Sequence, residues 1–416
     1  MLESIRGWGS TAFASLKVRN FRLYTIGQLI SGTGTWMQSV SLSFLVLYMT
    51  RSASDLGIVT GAQFLPMLFF GIQAGVFVDR LNKRRLIFIT QGSFLLVALA
   101  MFAFIEAGWM NLAWIVTFSL MLGAINALDN PARQAFVQQL VGRDHLQNAV
   151  SLNSANFNLA RALGPAAVGV IIAAFGISWG FLLNSISYLA VLVALKMMST
   201  GELFPARPVP REPGQVRQGL SYVRERPILL VSLAAVFLAG VFAFNFQVTI
   251  PVLATVTYRG GAARLGDFMS LFGLGAIGGA LFSASLKRPA TVRNLALTST
   301  LFAAALLSVG AIHVLGMAEV SLVVLGAMSI AFNALINTTL QLNSEFAMRG
   351  RVMSLFTFGL LGSTPIGAPI IGLVVARFSP SWGFIVGAAA LAVAALLFGS
   401  LALRERPSRR EAPNYT

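Results

Sequence analysis

Charged residues are scarce in this chain of 416 residues: they make up only 11% of it, against 56% hydrophobic residues. Soluble domains carry about 25% charged residues, so this composition excludes an ordinary soluble enzyme. Intrinsic disorder is excluded as well, because disordered chains combine low hydrophobicity with high net charge. With a mean hydropathy of +0.77, the composition is typical of a polytopic membrane protein.

Cysteine is absent, and histidine occurs only twice, as His145 and His313. The sequence therefore offers no disulfide, no thiolate nucleophile and no thiolate metal ligand. It also contains no histidine cluster, serine elbow, carboxylate pair or phosphate-binding loop. We expect neither an enzyme nor a bound metal or organic cofactor.

Acidic residues are few as well: the chain has 14 Asp and Glu but 30 Lys and Arg, which gives a net charge of +16. In a soluble protein this excess would indicate nucleic acid. In a membrane protein, basic residues instead collect on the cytoplasmic side of the bilayer. We therefore expect lipid and a small-molecule substrate as partners, no nucleic acid, and a monomer.

Long continuous apolar runs predict twelve membrane-spanning helices, since a span needs about 20 apolar residues. Barrel strands would give shorter, alternating segments. The expected fold class is all-α, a polytopic membrane protein with twelve transmembrane helices in two pseudo-symmetric six-helix halves. The predicted spans are 21–49, 55–78, 86–107, 111–138, 147–175, 178–198, 227–256, 265–286, 293–314, 318–342, 352–376 and 381–403.

The basic residues sort to one side of this map when the N-terminus is placed in the cytoplasm. Arg51, Arg259, Arg264 and Arg377 fall outside and Arg161 falls within a span, leaving 25 of the 30 inside. This distribution predicts an even number of spans with both termini cytoplasmic. The start of the chain lacks the short apolar core of a signal peptide, so we expect no cleaved leader.

The proline-rich, charged segment 199–226 divides the spans six and six, and we expect it to be a flexible or partly extended cytoplasmic linker. The predicted organisation is a cytoplasmic N-terminal segment 1–20, a six-helix bundle 21–198, the linker 199–226, a second bundle 227–403 and a cytoplasmic tail 404–416.

The two halves repeat in sequence. LGPAAVGVIIAAFGISWGF at 163–181 aligns without gaps to IGAPIIGLVVARFSPSWGF at 366–384. Gly164 then matches Gly367, and Gly169 matches Gly372. Two similar halves facing each other are one plan of secondary transporters.

The loop between spans two and three carries the segment GVFVDRLNKRR (75–85). Its candidate gating residues are Gly75, Asp79, Arg80, Lys83 and Arg84. The basic residues can be a plain topology signal, whereas Asp79 can pair across the loop or cap a neighbouring helix. Asn82 can adopt the left-handed conformation that a tight turn requires.

Span five contains ARALGPAAVG (160–169), in which Gly164, Pro165 and Gly169 are further candidates for conformational change. Proline inside a helix removes a hydrogen bond, and small residues allow close helix packing. Ordinary membrane-helix packing is the alternative explanation.

Polar residues recur at helical spacing in three spans: Gln28, Ser31, Thr35 and Gln38 in span one; Gln147, Ser151, Ser154, Asn158 and Arg161 in span five; Asn333, Asn337 and Gln341 in span ten. Such faces avoid lipid. They either line a wet cavity or form hydrogen bonds between helices. Asn126 in span four joins the candidates because Asn126-Ala127-Leu128 resembles Asn333-Ala334-Leu335.

Ionisable residues within spans are rare and by default functional. Arg161 lies deep in span five. Asp129 in span four has Arg133 four residues later, which makes either an interfacial salt bridge or a gate coupled to the 75–85 loop.

The 75–85 and 160–169 segments resemble two signatures of the major facilitator superfamily, and the wider sequence is similar to an exporter branch of it. Asn82, Ala160 and Val168 depart from the usual glycines. The resemblance implies alternating access and a proton-driven exporter (an antiporter) in a bacterial cytoplasmic membrane, carrying a small amphipathic metabolite such as a siderophore or antibiotic. A facilitator importer and a lipid or lysolipid flippase share the fold and remain alternatives.

By the same resemblance, residues of the polar stripes would bind substrate, while residues of the two signatures and of span four would govern the conformational cycle. The substrate set is Gln28, Ser31, Thr35, Gln38, Asn126, Ser154, Asn158, Arg161, Asn333 and Asn337. The conformational set is Gly75, Asp79, Arg80, Lys83, Arg84, Asp129, Arg133, Gly164, Pro165 and Gly169. An unbalanced Arg161 would favour neutral or anionic cargo over cations.

Overall fold

The computed structural model describes residues 13–204, 215–285 and 291–404, nearly all of them helical and none in a strand. A 3₁₀ turn, Ala14–Lys17, precedes the first long helix. Spans one to six are the helices Arg19–Thr50, Ala53–Arg80, Lys83–Glu106, Leu112–Val141, Leu146–Phe175 and Ser178–Met197. Each lies within a few residues of its predicted range, because the turns between them are short and polar.

Four spans of the second half are single helices, Ala262–Ser285, Val292–Ala311, Leu315–Leu342 and Pro380–Arg404. Spans seven and eleven lie at their predicted positions but are interrupted. Span seven consists of Pro227–Phe242, Phe246–Val252 and a π-helical turn, Leu253–Thr257; span eleven consists of Phe346–Leu361 and Thr364–Arg377. Pro365, in the first turn after the break of span eleven, has no N–H to continue the preceding helix.

Eleven of the twelve predicted spans in the described part of the chain are long and apolar enough to cross a membrane. The exception is span one, which has 32 residues and ample length. Its apolarity is lowered by polar side chains such as Gln28, Ser31 and Gln38, which are buried against other helices. Span one therefore reaches the length of a spanning helix while hiding its polar face inside the protein.

Part of the linker is helical, which differs from the expected flexible or extended segment. A 3₁₀ turn, Thr200–Glu202, and a helix, Gln215–Arg224, occupy its two ends. The helix is amphipathic: Val223 is buried, whereas Arg217 and Arg224 are exposed. It packs on span eleven, because a Cβ added at Gly219 would lie 3.3 Å from the Cβ of Arg351. The middle of the linker (205–214), most of the N-terminal segment (1–12) and the C-terminal tail from residue 405 lie outside the described residues.

The sequence repeat corresponds to equivalent helix contacts. Gly164 packs against span one, where an added Cβ would meet the backbone oxygen of Thr33 at 2.7 Å. Its counterpart Gly367 packs against span seven, where the added Cβ would meet the backbone oxygen of Val241 at 2.2 Å. Spans five and eleven thus occupy matching positions in the two halves, each pressed closely on the first helix of its own half.

We call the end of the bundle that carries residues 80–85 the basic end, and the end that carries residues 107–111 and 258–261 the far end. The two halves meet toward the far end. A Cβ added at Gly266 of span eight would lie 2.9 Å from Cα of Gly169 in span five. A Cβ added at Gly57 of span two would lie 3.1 Å from Cα of Gly372 in span eleven. Glycine at these positions allows the close backbone approach.

Toward the basic end the halves separate. Span two packs along Thr364–Arg377 of span eleven but scarcely touches Phe346–Leu361, the piece nearer the basic end. On span five, Ser151 and Ser154 are exposed. The molecule therefore has a gap between its halves that is open at the basic end and closed at the far end.

Candidate functional site

The polar stripe of span five faces this gap. Gln147, Ser151 and Ser154 are exposed, and Asn158 and Arg161 are half-buried. The serine hydroxyls and the Asn158 amide nitrogen donate to carbonyls of their own helix, with Asn158 Nδ2 to the Ser154 oxygen at 2.9 Å. The buried Oδ1 of Asn158 has no hydrogen-bond partner. It is therefore a free acceptor next to the deepest residue of the stripe.

Arg161 lies where the gap closes. Its guanidinium carbon is 5.5 Å from the ring centre of Trp36 in span one and 4.6 Å from that of Phe272 in span eight. Its backbone oxygen packs on Gly273 of span eight, at 3.0 Å from an added Cβ. In the described part of the chain, no carboxylate forms an ion pair with it. Aromatic faces from both halves thus hold this cation, and its charge stays unbalanced.

Further aromatic rings pack on the two rings that contact Arg161. Phe157 makes an edge contact with Trp36 at 5.8 Å, and Phe246 packs on Phe272 at 4.5 Å between ring centres. The sequence analysis did not identify Trp36, Phe157 or Phe272, because aromatic residues at helical spacing in an apolar chain resemble ordinary core. Their relation to Arg161 joins spans one, five and eight and has no signal in the local sequence.

The polar stripe of span one points into the interior of the N-terminal half rather than into the gap. Gln38 accepts a hydrogen bond from Asn184 Nδ2 of span six at 2.6 Å, and the same nitrogen donates to the Tyr188 hydroxyl at 3.2 Å. Thr35 lies 3.3 Å from that hydroxyl, and Ser31 is buried without a side-chain partner. These contacts favour hydrogen bonding between helices over cargo binding for this stripe.

Asp129 and Arg133 form a second buried cluster, inside the N-terminal half and not on an exposed helix surface. Asp129 is 1% exposed. Its Oδ1 accepts hydrogen bonds from Thr90 Oγ1 at 2.5 Å and Gln91 Nε2 at 3.1 Å, both from span three. Its Oδ2 is paired with Arg133 Nε, and Arg133 also donates to Gln28 Oε1 of span one. Asp129 and Arg133 together therefore join spans one, three and four.

The remaining substrate candidates, Asn126, Asn333 and Asn337, are half-buried. Asn337 Oδ1 accepts a hydrogen bond from Gln341 Nε2 at 2.6 Å along the exposed side of span ten. The structure does not bring Asn126 or Asn333 into a side-chain contact with Arg161.

The 75–85 loop ties three helices of the N-terminal half together. Lys83 Nζ donates to the Asp79 backbone oxygen at 2.7 Å. Arg84 donates twice to the Leu195 oxygen, from Nε at 2.9 Å and Nη2 at 2.6 Å, which places a cation on the C-terminal turn of span six. Asp79 and Gly75 are half-buried, and Arg80 is exposed.

Asn82 does not adopt the left-handed conformation open to it: its φ is −69° and its ψ is 110°. Asn82 is instead the N-cap of span three, and its Oδ1 accepts a hydrogen bond from the Arg85 backbone at 3.1 Å. A capping asparagine can end the loop in place of a tight turn, because its side chain accepts a hydrogen bond from a free N–H at the start of the helix.

The two glycines of the second signature (160–169), Gly164 and Gly169, contact two different helices. Gly164 packs on span one beside Trp36, at 2.6 Å between an added Cβ and the Trp36 Cβ, while Gly169 packs on span eight. Pro165 lies buried between them, and its backbone oxygen would be 2.7 Å from a Cβ added at Gly266. This segment is the closed contact between the halves at the far end.

Within the described ranges no group of His, Asp and Glu side chains could hold a metal ion. A half-open gap between two repeated bundles, with polar and aromatic lining and one unpaired cation, is a site for carrying a molecule rather than transforming it.

Comparison with known proteins gives the family. The model of the transmembrane secretion effector family, within the major facilitator superfamily, matches residues 10–415. The chain belongs to this family. It is a multi-pass membrane transporter and not an enzyme.

Two curated relatives cover most of the chain. The staphyloferrin A transporter of Staphylococcus aureus (strain NCTC 8325 / PS 47) is 27% identical over 350 residues, which is 82% of this chain and 85% of the relative. The enterobactin exporter EntS of Shigella flexneri is 27% identical over 394 residues, which is 92% of this chain and 90% of the relative.

Solved structures of transporters share the fold. A bacterial homolog of the human lysosomal transporter Spinster, in an inward-facing and occupied conformation, superposes with a TM-score of 0.68 at 15% identity, covering 94% of this chain and 98% of that one. The nucleoside transporter NupG superposes with a TM-score of 0.72 at 11% identity, covering 92% and 99%. Both have the major facilitator fold that the sequence predicted.

Proposed function

We propose that this transporter is a proton-driven exporter of a small amphipathic molecule that is neutral or anionic, such as a catecholate or carboxylate siderophore. The observation that carries the proposal is Arg161: a half-buried cation at the closed end of the gap, flanked by Trp36 and Phe272 and without a paired carboxylate. An anion entering the gap would supply the missing charge, and aromatic faces would bind its apolar part.

The arrangement of the halves supports alternating access. If the basic end lies in the cytoplasm, as the distribution of Lys and Arg favours, the gap is open to cytoplasmic cargo. Export then requires the glycine contacts at the far end to separate and the basic end to close. The names of the two curated relatives, a staphyloferrin A transporter and an enterobactin exporter, support siderophores as the first cargoes to test.

The experiment measures efflux of enterobactin and, separately, of the lipophilic cation tetraphenylphosphonium from loaded cells that express the wild type, Arg161→Ala or Arg161→Lys. We expect enterobactin export by the wild type, a loss of roughly tenfold or more in Arg161→Ala, and a smaller loss in Arg161→Lys, because lysine keeps the charge but not the planar fork. Arg377→Ala, at an exposed arginine of the far end, is the matched control and retains export.

Tetraphenylphosphonium export that is robust and equal in all four proteins would contradict an anion site at Arg161. Transport of enterobactin into the cell against its concentration gradient would show that the protein is an importer and not an exporter.

A further inference from the structure

The linker helix Gln215–Arg224 lies at the level where the membrane-spanning helices end. Its last residue is three positions before Pro227, the first residue of span seven, and three residues reach at most about 11 Å. A Cβ added at Gly219, near the middle of the helix, would lie 3.3 Å from the Cβ of Arg351, which belongs to the second turn of span eleven. The helix is therefore held beside the basic ends of two spans.

Contacts on one side fix the rotation of this helix. Val223 is buried, and the Tyr222 hydroxyl accepts a hydrogen bond from the backbone N–H of Glu345 at 2.9 Å. Just beyond the helix, the guanidinium carbon of Arg226 lies 3.8 Å from the centre of the Tyr222 ring, and its Nη2 is 2.5 Å from Glu345 Oε1. The remaining side chains of the helix therefore have defined directions.

The exposed surface of the helix has two edges of different chemistry. Five exposed residues form them. At 3.6 residues per turn, Arg217, Leu220 and Arg224 lie along one edge, and Gln218 and Glu225 lie on the other side of the buried stripe. We call the first the basic edge. It combines an apolar side chain with two cations, whereas the opposite edge is polar and carries an acid.

The composition of the basic edge suits the boundary of a bilayer. Leu220 is 54% exposed, and among the described residues neither Arg217 nor Arg224 forms an ion pair. At the boundary of a membrane, a leucine in this position contacts acyl chains, while the arginines beside it reach the headgroup phosphates. An amphipathic helix with Arg next to Leu is typical of attachment to anionic lipids.

The chain's own segments outside the described ranges do not complement the charge of this edge. Residues 1–12 contain one arginine and one glutamate, and residues 205–214 contain two arginines and one glutamate. Residues 286–290 contain one lysine and one arginine, and residues 405–416 contain three arginines and two glutamates. In side-chain charge each segment is neutral or positive. An occupant of opposite charge comes from outside the chain, and beside the end of a span the nearest anionic surface is the layer of lipid headgroups.

We propose that the basic edge is a docking surface for anionic phospholipid headgroups, with Leu220 inserted among the outer parts of the acyl chains. The helix packs on Phe346–Leu361, the piece of span eleven that scarcely touches span two. Lipid at the basic edge is thus attached to one wall of the open gap. The proposal goes beyond transport of a cargo and does not depend on it.

A nitroxide label on Leu220→Cys measures the docking, since the chain has no other cysteine. The labelled protein is placed in nanodiscs of POPC alone or of POPC with one quarter POPG. Power saturation then compares collisions with oxygen, which enters the bilayer, and with a water-soluble nickel chelate. We expect more oxygen and fewer nickel collisions in the discs that contain POPG. A label on Gln218→Cys, on the opposite edge, stays accessible to nickel in both.

The positive charge of the basic edge produces the effect. A basic residue near an anionic surface strengthens binding roughly fivefold, so Arg217→Gln combined with Arg224→Gln returns the label at position 220 to its collision ratio in POPC. Sodium chloride at about 1 M does the same without a substitution, because it shortens the screening length to about 3 Å. Arg143→Gln, at an exposed arginine of the basic end in the other half, is the matched control and keeps the POPG effect.

Equal collision ratios at position 220 in the two lipid compositions would overturn the proposal, and so would a POPG effect that survives the double substitution. Glycerol 1-phosphate added to POPC discs separates the lipid surface from a free phosphate. A change at position 220 as large as that with POPG would show a site for soluble anions in place of lipid docking. Because none of these measurements uses enterobactin, a failure of the proposed cargo and a failure of lipid docking are distinguishable.

Discussion

Gln38 and Asn184 show why a polar residue in a span need not touch cargo. Their side chains meet at 2.6 Å in the interior of the N-terminal half, and both are buried. Helical spacing in the sequence predicted that the stripe of span one avoids lipid. It could not predict which neighbour the stripe meets, because a wet gap and a second helix impose the same pattern on a single chain.

We therefore expect Gln38→Leu to destabilise the protein without removing transport. The substitution leaves an N–H of Asn184 buried without its acceptor, which costs about 1–3 kcal/mol. Thermal unfolding in detergent measures the loss, and Gln38→Leu combined with Asn184→Leu is expected to recover part of it. A Gln38→Leu protein with unchanged melting and no enterobactin efflux would place Gln38 in the cargo site instead.

Arg161 was predictable as a functional candidate because a lone arginine deep in an apolar run is rare. Its partners were not, since Trp36 and Phe272 lie on helices remote in sequence. A cation held by aromatic faces keeps its charge available, whereas a carboxylate partner would neutralise it. This available charge is the basis of the anion site proposed above.

Helices were more predictable than their interruptions. Long apolar runs fix the twelve spans, but the breaks at 243–245 and 362–363 lie inside long runs, and their polar residues, Asn245 and Ser363, resemble the isolated polar residues of uninterrupted spans. The helix Gln215–Arg224 was missed for the opposite reason: it is short and polar, and it is held by packing on span eleven. Isolated helices of this length are marginal in water, so tertiary contact determines them.

The contact between spans five and eight gives a prediction about closure of the far end. A Cβ at Gly266 would lie 2.7 Å from the Pro165 oxygen and 2.9 Å from Cα of Gly169, so backbone atoms must move apart. Gly266→Ala is therefore expected to widen the far end and to populate the conformation open on that side. Gly278→Ala, on the same helix but with no atom within 4 Å of its new Cβ, is the control.

Spin labels on Met49→Cys and Met317→Cys, two exposed far-end positions in opposite halves, measure this widening. We expect a longer mean distance in the Gly266→Ala background and the parent distance in the Gly278→Ala background. Equal distances in both would show that spans five and eight tolerate the added methyl group by a shift too small to open the far end.

Considered as a whole, the molecule is a repeated structure with an uneven distribution of charge. The repeat appears in matching aromatic pairs: the rings of Phe175 and Trp179 lie 5.3 Å apart, as do those of Phe378 and Trp382. Sequence identity between the halves made this symmetry predictable. The conformation could not be predicted from the sequence. One sequence must stabilise states open at either end, and the free energies of these states lie within a few kcal/mol of each other.

The charge asymmetry predicts the orientation of the whole bundle. Gly201 lies beyond span six at the basic end, and Gly261 lies in the loop before span eight at the far end; both are exposed, and a Cβ added at either meets no atom within 4 Å. Gly201→Cys and Gly261→Cys are therefore expected to leave the fold intact. The parent chain has no cysteine, so it serves as the unlabelled control for a membrane-impermeant maleimide.

With the basic end in the cytoplasm, Gly261→Cys reacts in intact spheroplasts, and Gly201→Cys reacts only in inside-out vesicles or after permeabilisation. The reverse pattern would place the basic end outside and turn the open gap of this conformation toward the exterior, so that the same Arg161 site would receive cargo for import. Labelling of both variants from one side would contradict this topology, because span seven is a single crossing between residues 201 and 261 and places them on opposite sides.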